Sequence, residues 1–311
     1  MALFTIHHSL FTFFGGGMKV FVAGGTGFVG EHLVRELRRS GYTAVTLSHK
    51  RSQGAVEGVD VVPGDVLDRR AVAEAMKGCD AAINLVGIIR EFPGKGITFQ
   101  KLHIQATRNM VDAAGDAGIR RYLQMSALGT RKDAVADYHK SKYAAEEYVR
   151  ASGLAWTIFR PSLVFGPKDL FVNMLADQLR MSPIIPVIGD GSYRMQPIHA
   201  DDVARCFVQS LEMPETVGHC YDLCGPDRFT YLQMFEVIGK VMGKSGALFV
   251  KSPLSLIKLV VPFLQKVPVF PLTSDQLQML LEESICDCSW RQTFDFEPIR
   301  FEAGIREYLG A

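Results

Sequence analysis

Three side chains in the middle of the chain have types and spacing suited to acid–base chemistry. Tyr138 and Lys142 lie four residues apart in a segment whose pattern predicts a helix from about Tyr138 to Ala151, so they share one helical face. A nearby ammonium favours the phenolate and lowers the pKa of a phenol, so that the tyrosine can move a proton to or from a carbonyl or alcohol. Ser126 directly follows the predicted strand Arg121–Met125, where its hydroxyl can reach a substrate oxygen. Tyrosine–lysine pairs at this spacing also occur by chance, so the case depends on the elements around them.

The element that organises the chain is a glycine turn between a strand and a helix. Four apolar residues, Val20–Ala23, are followed by a run with glycines at every third position and then by a helical pattern from Glu31. Glycine can adopt positive φ and lets a pyrophosphate approach the N-terminus of the helix. The pattern predicts a dinucleotide site, and a tight turn with no ligand is the alternative. The candidate contacts are Gly24, Thr26, Gly27, Phe28, Val29 and Gly30.

The end of the second predicted strand indicates which dinucleotide is bound. A fold that prefers NAD usually places Asp or Glu there to hold the ribose 2′-hydroxyl, whereas this chain has Ser48, Lys50 and Arg51 and no carboxylate in reach. These groups suit a 2′-phosphate, so NADP(H) is predicted in preference to NAD(H), with a solvated basic loop as the alternative. Asp65 and Val66 follow the third strand and are candidate adenine contacts, although Asp65 could instead cap the next helix.

Strands and helices alternate from residue 18 to about residue 165, which predicts an α/β fold with a doubly wound parallel sheet. Beyond Pro161 the rhythm breaks into short strands, including Cys220–Leu223, and helices such as Ala200–Leu211. We expect these to form a smaller lobe over the carboxyl ends of the strands, where substrate binds in such folds. The predicted divisions are a disordered extension or mis-called start at 1–17, a nucleotide-binding domain at 18–165 and a substrate or docking lobe at 166–311. Sheet strands can be shared across the last boundary.

Composition excludes several classes of function. Of the 311 residues, 48% are hydrophobic and 22% charged, as in a globular protein, and the formal net charge of +1 argues against nucleic acid as a partner. The six cysteines lack zinc-site spacing, so no metal is expected and reduced, mostly buried thiols in a cytoplasmic protein are favoured.

The segment 252–283 is rich in apolar residues. Two prolines and Lys258 interrupt its first half, which is too short and broken to span a bilayer. A helix that caps the second lobe is the favoured interpretation. The alternative is a helix that docks on a membrane surface or on a respiratory complex, which would place the protein peripherally at the inner face of a membrane.

Taken together, the motifs resemble the extended short-chain dehydrogenases/reductases over roughly residues 18 to 240. The residues that carry the resemblance are Gly24, Gly27, Gly30, Asp65, Asn84–Gly87, Ser126, Tyr138, Lys142, Arg160–Pro167 and Ile198–Ala204. Within that superfamily the chain is most similar to the atypical branch of the NAD(P)H-binding accessory subunit of respiratory complex I and its bacterial relatives. Asn84–Gly87, Met125–Gly129, Gly189–Gly191 and Pro271–Gln276 carry that second resemblance.

The resemblance implies a role for each matching residue. The three glycines would hold the pyrophosphate, Tyr138 would be the acid–base group, Lys142 would set its pKa and Ser126 would contact the substrate oxygen. Further cofactor contacts implied or suggested by these motifs are Leu85, Val86, Gly87, Pro161 and Ser162.

Two departures from the family pattern bear on the substrate. His103 stands where the extended family usually has an active-site asparagine. Arg194 lies near the position of the phosphate-binding arginine of sugar-nucleotide enzymes, but its distance from His199 differs by about one residue. Both are candidate substrate contacts. Three functions stay open: an NADP(H)-dependent oxidoreductase, a non-catalytic cofactor-binding accessory or assembly protein of a respiratory or quinone-synthesis complex, and a nucleotide-sugar epimerase or dehydratase.

Overall fold

The computed structural model describes residues 17–48, 59–244, 246–265 and 272–310. Its strands are β1 (Lys19–Ala23), β2 (Thr43–Ser48), β3 (Asp60–Pro63), β4 (Ala81–Asn84), β5 (Arg121–Met125), β6 (Ala155–Pro161), β7 (Val164–Phe165), β8 (Ile184–Ile188), β9 (Arg194–Met195), β10 (Ile198–His199), β11 (His219–Leu223), β12 (Phe229–Thr230) and β13 (Leu248–Ser252). Its α-helices are α1 (Phe28–Arg39), α2 (Arg69–Ala75), α3 (Ala106–Asp116), α4 (Asp137–Arg150), α5 (Phe171–Met181), α6 (Ala200–Ser210), α7 (Tyr231–Val241), α8 (Leu254–Leu264), α9 (Ser274–Leu281) and α10 (Phe301–Leu309). The extension expected at 1–17 lies outside the described residues except for Gly17.

The central sheet has seven parallel strands in the order β11-β6-β5-β4-β1-β2-β3. The chain moves outward from β1 to β3, then returns to the other side of β1 and moves outward again. The direction therefore reverses between β1 and β4, and a ligand crevice opens there at the carboxyl ends of the strands. The predicted doubly wound α/β fold is confirmed.

Alternating side chains of the strands fill two separate cores. In β1, Val20 and Val22 face the core beneath α1 and α6, while Phe21 and Ala23 face the core beneath α2, α3 and α4. This alternation follows from the two-residue repeat of a strand. Because both faces are covered by helices, β1 is buried on both sides, which explains why it is apolar from Val20 to Ala23.

Two elements expected in the smaller lobe are instead part of the nucleotide-binding core. Strand β11 pairs in parallel with β6, and helix α6 packs against α1. The imidazole Nδ1 of His32 on α1 lies 2.5 Å from Oδ1 of Asp201 on α6, which ties the two helices together. Both elements were predicted in the wrong part of the fold because, along the chain, β7 to β10 lie between them and the first six strands. A shared strand was allowed for, so the limits 18–165 and 166–311 stay a prediction.

The smaller lobe has its own apolar core, formed by α5, α7, α10 and the parallel pair β8–β13. Phe165, Phe235 and Phe301 are fully buried within it. Helices α8 and α9 follow β13. Among the described residues, no helix has the length and apolarity required to cross a membrane.

The cysteines differ from the expectation of reduced thiols. Cys224, at the end of β11, and Cys286 form a disulfide, with their Cα atoms 6.0 Å apart. The two are brought together by the return of the chain after α9 to the edge of the central sheet, which their spacing of 62 residues did not indicate. Cys79 and Cys206 are buried thiols, as expected, whereas Cys220 is exposed.

Candidate functional site

The glycine turn between β1 and α1 is built for close approach of backbone segments. Gly24 has φ +83°, and a Cβ on Gly30 would lie only 2.1 Å from the carbonyl oxygen of Gly24. The first turn of α1 can therefore pack on the loop only if residue 30 is glycine. Gly27 occupies the N-cap position, and no side chain caps the helix there. This leaves an anion-binding N-terminus, and Thr26 and Gly27 are exposed beside it, so the cradle fits a dinucleotide pyrophosphate.

The opposite wall of the crevice is the loop Leu85–Gly87 after β4. Buried Asn84 shapes it: Oδ1 accepts a hydrogen bond from Val86 N at 3.0 Å, and Nδ2 donates to Gln124 on β5 and to Thr107 on α3. A buried amide with all these partners fixes the backbone of the loop. Gly87 is exposed, and a Cβ there would lie 2.8 Å from the Lys142 ammonium nitrogen.

Lys142 projects from α4 to the carboxyl ends of β4 and β5. Its Nζ contacts the carbonyl oxygens of Val86 and Met125 at 3.4 Å each, and the residue is 4% exposed. Burial lowers the pKa of Lys142 to about 8, and Glu146 one turn along the helix opposes this decrease. Glu146 is fully buried and is held by the guanidinium of Arg160 on β6, so the same pair fixes α4 against the sheet.

Tyr138 lies one turn before Lys142 and is enclosed by aromatic rings. The rings of Phe99, His103 and His139 contact it edge to face, with centroids 5.8, 5.3 and 5.2 Å away. The enclosure raises the pKa of Tyr138 to about 12, first through burial and then through the negative charge of Asp275. The Tyr138 pKa thus lies above its ordinary value, the opposite of the decrease expected beside Lys142, because burial disfavours the phenolate.

His103 lies on a π-helical segment, Gln100–Gln105, that directly precedes α3. Its ring is 1% exposed, and Nδ1 is 2.8 Å from the Ser141 hydroxyl while Nε2 is 3.1 Å from the backbone of Ile88. Burial and the nearby Lys142 lower its pKa to about 2, so it stays neutral. These contacts indicate that His103 joins α4 to the loop after β4. Its role as a substrate contact stays a prediction.

Two serines directly follow the neighbouring strands β5 and β6. Ser126 is 2% exposed, its amide donates to Phe159 O on β6, and its hydroxyl lies 3.3 Å from that of Thr130. Ser162 follows Pro161 at the end of β6, and its hydroxyl donates to Gln196 O at 2.5 Å. Ser126 thus directly follows Met125, whose carbonyl oxygen contacts Lys142 at the carboxyl end of β5.

The adenosine end of the crevice is described only in part. Ser48 ends β2, and its carbonyl accepts a hydrogen bond from Gly64 N. Lys50 and Arg51 lie outside the described residues. Asp65 accepts from Leu67 N at 2.8 Å and does not cap α2, since Asp68 is the N-cap residue.

The Arg194 side chain, on β9, already has a charged partner. Its guanidinium makes a bidentate pair with Glu283, at 2.7 and 2.6 Å. A role in binding a substrate phosphate would require that pair to break, and it stays a prediction. Within the described ranges, no group of three or more His, Cys, Asp or Glu side chains is arranged to hold a metal ion.

One residue at the site was not anticipated. Asp275 on α9 accepts hydrogen bonds from the backbone amides of Asp137 and Tyr138. Two sequence signals fall here, the resemblance carried by Pro271–Gln276 and the place of Asp275 in the first turn of a helix with a Thr273–Gln276 capping box. Neither reveals a partner 137 residues away.

With this geometry in place, comparison with known proteins identifies the family. A model of the NAD dependent epimerase/dehydratase family matches residues 20–224. The chain belongs to that family. The matched region includes the glycine turn, Ser126, Tyr138 and Lys142, and it ends at Cys224 after the last strand of the central sheet.

Curated relatives include subunits of mitochondrial NADH dehydrogenase and a ceramide reductase. Over 275 residues the chain is 29% identical to the mitochondrial NADH dehydrogenase [ubiquinone] 1 alpha subcomplex subunit 9 of Arabidopsis thaliana, covering 84% of this chain and 67% of the relative. The mouse protein of that name is 26% identical, with 77% and 64% covered. The ceramide reductase of Caulobacter vibrioides is 32% identical over 227 residues, with 72% and 70% covered. The chain thus spans about two thirds of the length of these relatives, and the resemblance to the complex I branch is confirmed.

Solved structures agree on the fold. The UDP-glucose 4-epimerase of Thermotoga maritima superposes with a TM-score of 0.75 at 18% identity, covering 94% of this chain and 97% of that one. A dTDP-glucose 4,6-dehydratase of Streptomyces venezuelae, with NAD bound, gives 0.73 at 19% identity, with 94% and 96% covered. At these identities the likeness shows the fold and not the substrate.

Proposed function

We propose that the protein is an NADP(H)-dependent oxidoreductase in which Tyr138, Lys142 and Ser126 act on a carbonyl or alcohol group. The observation that carries the proposal is the position of the Lys142 ammonium. It is buried at the carboxyl ends of β4 and β5, within 3.4 Å of the carbonyl oxygens of Val86 and of Met125, the residue before Ser126. Its hydrogen bonds go to backbone carbonyls, and burial of its charge costs stability, so packing alone does not explain a lysine at this position. A charge held at a ligand crevice is suited to catalysis.

The proposed chemistry divides between cofactor and protein. When bound, the nicotinamide supplies or accepts the hydride. In the direction of reduction, the Tyr138 hydroxyl donates its proton to the carbonyl oxygen, and the Ser126 hydroxyl donates a hydrogen bond to the same oxygen. The Lys142 ammonium stabilises the phenolate that forms, since opposite charges favour the ionised phenol. In the direction of oxidation, the phenolate accepts the alcohol proton.

The preference for NADP(H) rests on the sequence that follows β2. It offers Ser48 and two cations and no carboxylate, which favours a 2′-phosphate over a free hydroxyl. The double variant Lys50→Ala/Arg51→Ala should weaken NADPH binding at least tenfold more than NADH binding, measured by isothermal titration. Arg38→Ala/Arg39→Ala, an adjacent basic pair at the end of α1, is the matched control and should leave both affinities unchanged. Equal losses for the two cofactors would contradict the preference.

For the substrate, we propose an apolar carbonyl compound without a diphosphate group. Glu283 neutralises Arg194, and the loop that follows β4 exposes Ile89 and Phe92, 42% and 39% respectively. The relative from Caulobacter is named a ceramide reductase, which gives a lipid as its substrate. An apolar rim and an occupied arginine both favour a lipid-like substrate over a sugar nucleotide.

The test is NADPH oxidation by the purified protein, with long-chain ketones compared against UDP- and dTDP-sugars. Turnover is expected with the ketones, and Tyr138→Phe should reduce kcat at least a hundredfold while leaving NADPH affinity unchanged. Tyr143→Phe, five residues along the same helix, is the matched control. If the wild-type protein binds NADPH tightly but never oxidises it with any substrate of either class, the proposal of an enzyme fails.

One observation favours a second candidate function, that of an accessory protein that docks on a respiratory complex. Helix α8 exposes Leu256, Leu259 and Phe263 by 54%, 66% and 68%, and their spacing places them on one face. Contiguous exposed apolar side chains mark interaction surfaces. Several relatives are complex I subunits by name.

The docking function predicts that charges on this face abolish association without affecting the cofactor. In cell extracts, Leu259→Asp/Phe263→Asp should release the protein from the respiratory complex in native gels, with unchanged NADPH affinity. Met181→Asp, at an 85% exposed position on α5, is the matched control. Unchanged co-migration of the double variant would remove the docking function.

A further inference from the structure

The N-terminus of helix α4, which carries Tyr138 and Lys142, is capped by a residue from the other end of the chain. Asp275 Oδ1 accepts a hydrogen bond from Asp137 N at 2.7 Å, and Oδ2 accepts one from Tyr138 N at 3.0 Å. The helix's own N-cap residue, Ala136, has no side-chain hydrogen bond to offer. One carboxylate thus satisfies two of the amides that every helix leaves unpaired at its start.

The segment that carries Asp275, residues 272–282 (hereafter the strap), is anchored at both ends. At its start, the Thr273 hydroxyl and the Gln276 side chain form a reciprocal capping box. This box fixes the first turn of α9, in which Asp275 lies. At its end, Glu282 pairs with Arg131 at 2.9 Å, on the loop between Ser126 and α4.

The strap is also linked to the loop after β4. The Gln265 side chain accepts from Ser274 N at 2.9 Å, and Arg90 donates to Gln265 O at 3.0 Å. The apolar helix α8 ends beside Gln265, so α8, the strap and the substrate side of the crevice are joined through a few polar contacts.

We infer that Asp275 is a positioning residue for Tyr138, and that the strap sets both the placement and the charge environment of the acid–base group. The inference rests on the proposed function for the role of Tyr138, but the contacts that carry it belong to the protein alone. Because Asp275 bonds to the amide of Tyr138 itself, release of the strap would free the first turn of α4 while Lys142, one turn further in, stays fixed by the sheet. Docking at α8 and turnover at Tyr138 would then be coupled through one carboxylate.

The charges of the groups that face Tyr138 determine whether loss of Asp275 would raise or lower the pKa of the phenol. His103 is neutral, since burial lowers its pKa to about 2, and burial also lowers the pKa of His139. Lys142 has a pKa of about 8 and is uncharged at pH 10.5. Asp275 is therefore the charged group whose removal should matter at that pH, and losing a negative charge beside a phenol favours its ionisation.

The test measures the ionisation of Tyr138 directly by ultraviolet difference titration. The tyrosinate absorbance of a protein with Tyr138 minus that of its Tyr138→Phe counterpart isolates this one phenol, and circular dichroism verifies that each variant stays folded. In the Asp275→Asn background, the fraction of Tyr138 ionised at pH 10.5 should rise about threefold, the change for a pKa decrease of about half a unit. Asp137→Asn is the matched control, because that carboxylate is exposed and caps nothing; it should leave the titration unchanged.

Kinetics provide a second readout. With any substrate that the wild-type protein turns over, Asp275→Asn should lower kcat about tenfold with little change in KM. Asp275→Glu keeps the charge and should retain part of the kcat that Asp275→Asn loses. If Asp275→Asn titrates like the wild type, or if Asp137→Asn shifts the titration as much, the inference is overturned. The titration needs no substrate, so it still decides the inference if no turnover is found and the proposed function fails.

Discussion

Replacing the buried lysine should make the cofactor-free protein more stable. Lys142 is 4% exposed, and burial lowers its pKa from 10.5 to about 8. At about 1.4 kcal/mol for each pKa unit, holding the ammonium in the fold destabilises it by about 3 kcal/mol at pH 7. Lys142→Met keeps the length of the stem and removes the charge, at the loss of two long hydrogen bonds worth about 1 kcal/mol together. The net expectation is about 2 kcal/mol of added stability, with turnover abolished.

The dependence on pH distinguishes this explanation from simple repacking. The folded pKa of Lys142 is the lower one, so the unfolded chain binds more protons between pH 8 and 10.5, and the wild-type protein gains stability as pH rises through that range. The destabilisation is fully present below pH 8. The advantage of the variant should therefore disappear at about pH 10, where the remaining cost of the charge equals the value of the two lost hydrogen bonds.

Urea denaturation at pH 7 and pH 10 measures both quantities. Lys140→Met, which removes a half-exposed ammonium from the same helix, is the matched control and should change stability by less than about 0.5 kcal/mol at either pH. A Lys142→Met protein that is less stable than the wild type at pH 7, or one whose advantage does not depend on pH, would refute the reasoning.

Other consequences concern the glycine turn and the helix that carries Lys142. Gly30→Ala would place a Cβ against backbone atoms of the turn, so we expect at least about 2 kcal/mol of lost stability in urea denaturation and loss of NADPH binding by titration calorimetry; Gly115→Ala, in open space on α3, should do neither. Turnover should fall as pH rises through about 8, where Lys142 loses its proton, as a pH–rate profile would show. Glu146→Gln should move that decline to lower pH and destabilise the fold by about 3 kcal/mol in urea, because Arg160 loses its partner; an unmoved decline would contradict the assignment to Lys142.

Local patterns predicted the nucleotide-binding half well. The strand, glycine turn and helix from β1 to α1 are determined by residues next to one another, and a tyrosine and lysine four apart must share a helical face. The strand Arg121–Met125 and the helix after Ser126 were located for the same reason. Periodicity in these segments reflects burial against one sheet, so a local pattern was sufficient.

What the sequence did not reveal depends on contacts between distant segments. The pairing of β11 with β6, the disulfide of Cys224 with Cys286, and the cap that Asp275 places on α4 all join residues more than fifty positions apart. The raised pKa of Tyr138 likewise follows from burial by rings on other elements. None of these leaves a periodic trace in the sequence.

Following the hydride shows whether Tyr138 acts on a substrate while a bound cofactor turns over. The purified protein is incubated with NADPH carrying deuterium at C4 of the nicotinamide and with a long-chain ketone, and the product is analysed by mass spectrometry. With the wild-type protein the alcohol should gain one deuterium. With Tyr138→Phe no deuterium should be transferred, although both proteins bind NADPH. Tight binding with no transfer by the wild-type protein across ketones and sugar nucleotides would contradict the proposed function.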